Sequence, residues 1–186
     1  MDSPLLSHPL EVRQMITGIV IVNNQPFKIK PRCTTTTTTT PLTTCTPTAL
    51  PQTSHQIRAE YASLLRKAAF NPGTKTIAPV YDFDFREMIS FAQTLKSHEV
   101  AAANRNRNLV CKVFVFDGGV FGGEGVRLLG EWVRCAEKIG LEVGYLVEWC
   151  GVEAGQLRAL EGVVGGGREG RKILRALREW RGRREG

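Results

Sequence analysis

The sequence predicts an α+β fold. It comprises an N-terminal helical segment, a small mixed sheet with packed helices that includes one strand-helix-strand unit, and a basic C-terminal helix. Three observations carry this expectation. Residues 109–116, LVCKVFVF, form a nearly continuous apolar run, and 141–149, LEVGYLVEW, read as a second strand. Between them, residues 125–139 set Leu128, Leu129, Trp132, Val133, Ala136 and Ile139 on one helical stripe. Residues 55–70 form a further amphipathic helix. With 186 residues, 42% of them hydrophobic and 23% charged, the chain can bury a domain core and is not a wholly disordered polymer.

The first unit spans residues 1–31. Residues 4–22, PLLSHPLEVRQMITGIVIV, place Leu6, Leu10, Met15, Ile16 and Ile19 near helical spacing, with Pro9 where a first helical turn begins. Gly18 and the run from Ile19 to Val22 favour a strand instead, so the local pattern leaves helix and hairpin both open. The following NNQPFKIK reads as a turn and a short strand. Residues 32–54 hold seven consecutive threonines and three prolines with almost no charge, the composition of a disordered insertion.

An α+β domain then occupies 55–164. Ser54 caps its first helix, Ile57, Tyr61, Leu64, Leu65 and Ala68 form the stripe, and Arg66 and Lys67 sit where cations suit the helix dipole. Asn71-Pro72-Gly73 ends it. Residues 76–81, TIAPVY, read as a short strand that Pro79 assigns to a sheet edge. Asp84 caps a helix over 85–97, and 104–108, NRNRN, read as a polar loop. The apolar run 109–116 reads as a strand covered on both faces. Gly140 stops the next helix, and the second strand completes a unit whose default geometry is a right-handed parallel crossover. A short helix covers 154–164, and Gly165-Gly166-Gly167 breaks it. Residues 165–186 form a basic helix or tail, with Ile173, Leu174, Leu177 and Trp180 as its apolar positions.

From 168 to 186, eight basic residues against three acids leave +5 of the chain's net +7. The basicity is therefore mainly a property of that tail, which argues against nucleic-acid binding by the domain. Trp180 is the one aromatic interleaved with these arginines, so no stacking platform for single strands is visible. The five cysteines are odd in number and include no C-x-x-C pair, and three scattered histidines do not suggest zinc. No run of about 18 apolar residues exists, so no membrane span is expected. The N-terminus also lacks the basic-then-apolar pattern of a secretory signal. An intracellular place, cytoplasm or nucleus, follows as the expectation.

No catalytic residue, cofactor or metal ligand is predicted. The glycine-rich stretch 117–125, DGGVFGGEG, leads from a strand into a helix, where backbone amides can cradle a phosphate. It has neither G-x-G-x-x-G nor G-x-x-x-x-G-K-[ST] spacing, and Asp117 and Glu124 would crowd an anion. A nucleotide- or phosphate-binding domain using 117–125 is one alternative function. A nucleic-acid-associated protein using the basic C-terminal helix is a second. Asp82, Asp84, Asp117 and Glu124 resemble the carboxylate set of a metal-dependent nuclease, but a turn and a helix cap account for the first two.

Two segments together resemble a known family. In PLLSHPLEVRQMI, Pro9, Leu10, Glu11, Val12, Arg13 and Ile16 match the opening helix of fungal F-box-like proteins, usually Leu-Pro-x-Glu-[Leu/Ile/Val]-Arg-x-x-Ile, with His8 in place of leucine. In ALPQTSHQIRAEYASLLRK, Gln56, Ile57, Arg58, Glu60, Leu64 and Leu65 match the family's second signature, Cys-Arg-Gln-Ile-x-x-Glu with a further Leu-Leu, and Ser54 and His55 replace Cys-Arg. The resemblance implies that the first segment is helical at least through Ile16 and that the threonine stretch is an insertion between two signature helices. It also implies a non-enzymatic interaction protein. F-box segments dock a Skp-type adaptor of a cullin ubiquitin ligase through apolar helix faces, while the remainder recruits a target. The partner-binding residues so implied are Leu6, Pro9, Leu10, Val12, Met15, Ile16 and Ile19. The competing expectation is that the same stripe packs on helix 55–70 within the chain.

Overall fold

The computed structural model describes residues 4–24, 26–29, 42–44, 54–116 and 123–185. A 3-10 turn, Pro4–Ser7, leads into α1 (Leu10–Asn23), followed by β1 (Phe27–Ile29), β2 (Leu42–Thr44) and α2 (His55–Ala69). Then come β3 (Thr76–Tyr81), α3 (Arg86–Gln93), α4 (Ser97–Arg105) and β4 (Leu109–Val115). The chain continues through α5 (Glu124–Ile139), β5 (Gly144–Cys150), α6 (Ala154–Val164) and α7 (Arg168–Glu185). The fold is α+β. One mixed sheet has the order β2-β1-β3-β4-β5, with β1, β3, β4 and β5 parallel and β2 antiparallel at the edge. β2 falls inside the stretch expected to be a disordered insertion; 32–41 and 45–53 lie outside the described residues.

Local chemistry accounts for most of the boundaries. The Ser54 hydroxyl accepts from the Ile57 amide at 3.1 Å and opens α2. Gly140 closes α5 in the left-handed region, φ 72°, where a side chain would be strained. α1 runs through Thr17-Gly18 and the β-branched residues to Asn23. Helix propensity disfavours each of those residues by about 0.5–1 kcal/mol. Ile21, buried in the core, and Val20, packed against it, supply burial that offsets part of this cost.

Three expectations are corrected. The single helix over 85–97 is two helices: α3 ends at Thr94, whose hydroxyl donates to the Phe91 carbonyl at 2.8 Å, and α4 begins at Ser97. α4 also takes Asn104 and Arg105 from the expected loop. The Asn104 amide donates to Gly140 O at 2.7 Å, and buried Asn106 donates to Ala69 O and Thr74 O, so this polar stretch ties elements together.

β3 is not an edge strand; it lies between β1 and β4. The Thr76 and Asp82 amides both donate to β4-side carbonyls, of Asn108 and Phe114. Alternation therefore turns the position of Pro79 towards β1, whose described register with β3 ends at Ile77.

β4 is covered on one face only. Leu109, Cys111, Val113 and Val115 are buried, whereas Val110, Lys112 and Phe114 are half-buried. The cause is topological. The four parallel strands lie side by side in chain order, and right-handed crossovers then put every connecting helix on the same face.

At the C-terminus the apolar stripe of the basic helix packs on the domain. α7 is part of the domain, with Ile173, Leu174 and Leu177 buried against the sheet side of the core. Fully buried Glu169 fixes its first turn: it pairs with Lys172 at 2.6 Å and accepts from the Tyr145 hydroxyl at 3.0 Å, which accepts in turn from Trp132 Nε1 at 2.8 Å. Trp132 stacks on Phe85 at 5.6 Å and 4°, at the centre of the core.

Candidate protein-interaction site

α1 lies on α2, and the contact is built from the less apolar side of α1. Arg13, Thr17 and Ile21 point inward and are buried. Arg13 meets Glu60 of α2 as a two-pronged pair, Nη2 to Oε1 at 2.8 Å and Nε to Oε2 at 3.1 Å. Its third arm donates to the His8 carbonyl at 2.6 Å, and Gln56 also donates to Glu60 at 3.0 Å. Parallel N–H donors on a carboxylate give both strength and orientation. The hydrogen bonds from Arg13 hold the Glu60 carboxyl below its usual range, and Glu60 holds the Arg13 guanidinium above its own. Arg13 belongs to the first family signature, and Gln56 and Glu60 to the second. The network therefore joins the two quoted motifs across the intervening chain.

The outer side of α1 is apolar. At 100° per residue, Val12, Met15, Ile19 and Val22 fall within an arc of about 80°. Met15, Ile19 and Val22 are 65%, 57% and 61% exposed, and Val12 is also exposed. α1 is apolar on both sides: Ile21 is buried and Val20 packs on the core, while Val12, Met15, Ile19 and Val22 form a second apolar stripe that faces water. Of the seven residues named from sequence, Val12, Met15 and Ile19 lie on this face. Leu10 and Pro9 are exposed at the first turn, and Leu6 and Ile16 are half-buried. Val22 was missed, although its spacing from Met15 and Ile19 already marks it. The competing expectation, that this stripe packs on the second helix, is overturned for Val12, Met15 and Ile19.

A second feature sits at the carboxyl ends of β1 and β3, where open sheets commonly bind ligands. A crevice of about 560 Å³ is lined there by Asp82, Asp84, Glu87 and Glu124, with Arg86 as its cation. Arg86 is held by Asp84, Nε to Oδ1 at 2.8 Å, and that pairing keeps the Asp84 carboxyl below its usual range. So acidic a lining disfavours phosphate. The expected phosphate loop falls mostly on 117–122, outside the described residues.

Asp82 and Phe83 both have left-handed backbone, φ 48° and 59°, next to this crevice. Their strain has a structural return. It buries Phe83 and Phe85 completely and lets the Asp82 carboxylate accept from the Phe116 amide at 2.7 Å. Among the described residues, no three His, Cys, Asp or Glu side chains are placed to hold a metal ion. No helix among them is long and apolar enough to cross a membrane.

No protein-family model, curated protein or solved structure matches this chain.

Proposed function

We propose that this chain is a non-enzymatic protein-interaction module that docks a partner protein through the outer face of α1. The observation that carries the reading is the outer stripe of α1: Val12, Met15, Ile19 and Val22 face water, although Ile21 already anchors the helix in the core. Burying one such side chain contributes about 1.5–3 kcal/mol, a gain this helix leaves unused until another surface covers it. Helix-in-groove recognition uses anchors at this i, i+3, i+7 spacing. The F-box-like resemblance names the partner, a Skp-type adaptor of a cullin ubiquitin ligase, and makes the rest of the domain the target-recruiting part. In that role the protein works in the cytoplasm or nucleus.

Capture of a purified Skp-type adaptor by the full chain tests this, with Met15→Asp/Ile19→Asp as the variant. Both residues are exposed, so the variant keeps the wild-type circular dichroism. The expected result is saturable binding by the wild type and loss of at least about 100-fold in the variant, the equivalent of removing two anchors. Failure of the wild type to bind overturns the adaptor assignment.

A further inference from the structure

The uncovered face of the sheet is aromatic. Tyr81 on β3, Phe114 on β4 and Trp149 on β5 occupy matched register positions across three adjacent strands, and Phe116 follows two residues along. The Tyr81 ring lies 5.2 Å from Phe114 and 6.4 Å from Phe116, each within 20° of parallel. Tyr81, Phe116 and Trp149 are 53%, 60% and 43% exposed. Parallel sheets are normally covered on both faces, and a contiguous exposed apolar patch marks a binding surface.

β5 is bent to keep Trp149 on this face. Val113 pairs with Val147, but Phe114 pairs with Trp149, so Glu148 is an extra residue in the ladder. Strict alternation from Val147 would send Trp149 into the core; the bulge re-aims it outward. Glu148 pairs with Lys112 instead.

α7 brings cations to the same place. Trp180 meets Trp149 edge-on at 5.9 Å, and the Arg184 guanidinium lies 5.0 Å over Trp149 and 5.5 Å over Trp180. The ion pairs of α7 use Arg168, Lys172 and Arg178; among the described residues no carboxylate pairs with Arg183 or Arg184. Both line a groove with Leu146, Trp149 and Trp180.

We propose that this face binds single-stranded nucleic acid, with bases stacked against the Tyr81–Phe116 block and phosphates held by Arg183 and by Arg184 beside Trp149. The pairing of exposed aromatic rings with guanidinium groups that no described carboxylate neutralises decides the class. A single strand offers unstacked bases and regularly spaced phosphates together, whereas an acidic peptide satisfies the arginines and leaves the rings wet. This surface is distinct from α1, and the proposal stands without the adaptor reading.

The test is a tryptophan-fluorescence titration of the full chain with an oligouridylate of about 15 nucleotides, between about 50 and 200 mM salt. Trp132 is fully buried, so quenching reports Trp149 and Trp180. The expected result is saturable quenching with a log–log salt slope of about −2, as two to three phosphates require. Arg183→Gln/Arg184→Gln flattens that slope and weakens binding at least about tenfold. Phe116→Ala weakens it about tenfold with the slope unchanged. Met15→Asp/Ile19→Asp leaves it as in the wild type. Three results overturn the proposal: no binding at the lowest salt, equal binding of polyglutamate or duplex, or affinity indifferent to Phe116→Ala.

Discussion

Arg13 and Glu60 are the residues on which the seating of α1 depends. Removing either partner leaves the other charge partly buried and unpaired, which costs more than removing both. Glu60→Gln or Arg13→Gln alone is expected to lower the melting temperature, and Arg13→Met/Glu60→Met to recover part of the loss; a thermal-melt double-mutant cycle measures it. The pair also sets a pH dependence. Glu60, and Glu99 beside Arg66, have carboxyl pKa values lowered on folding by hydrogen bonds from arginine. Their stabilisation is therefore complete above the ordinary glutamate pKa and is lost as pH falls through the lowered folded value. Melting followed from neutral to acid pH should show stability falling in that acid range, less steeply in Glu60→Gln. Both members of the pair were legible as motif residues, but their contact was not, because nothing local connects positions 47 apart. Glu148 was illegible for a related reason: a bulge is defined by the partner strand, and β5 read alone gives no hint that Trp149 turns outward.

At the scale of elements, strong stripes were legible and compromises were not. α2 and α5 carry one clean apolar face each and stand where their spacing predicts. α4 escaped notice because SHEVAAANR has only Val100 and Ala103 to bury and finishes in polar residues whose side chains work at a distance. The charge of α7 surrounds an apolar stripe that spacing already marks, Ile173, Leu174 and Leu177, and that stripe packs on the domain. Ile173, Leu174 and Leu177 are each worth about 1.5–3 kcal/mol when buried, a sum comparable to the net stability of an ordinary domain, about 5–15 kcal/mol. A chain ended at Gly167 is therefore expected to lose its near-ultraviolet circular dichroism. Retention of the native spectrum would return α7 to the status of a tail.

Over the whole molecule, one cluster of buried side chains runs from Ile21 in α1 to Leu177 in α7. Helices from both ends of the sequence thus share a core, and unfolding is expected to be a single transition. Near- and far-ultraviolet signals followed in urea should superimpose; an early loss of helix alone would separate α1 from the core. The sequence reading recognised one strand-helix-strand unit and inferred from the apolar content of 109–116 that its strand was covered on both sides. Four parallel strands in chain order put the connecting helices on one face, and the exposed aromatic rings stand on the other. Strand composition cannot distinguish a second layer of protein from a surface that awaits a partner, because both demand apolar side chains.

Docking through the outer face of α1 is tested by hydrogen exchange of the full chain, measured with and without a purified Skp-type adaptor. Slowed exchange is expected across residues 10–23, with 109–115 and 144–150 unchanged. Unaltered exchange in α1, or protection confined to other elements, would contradict it.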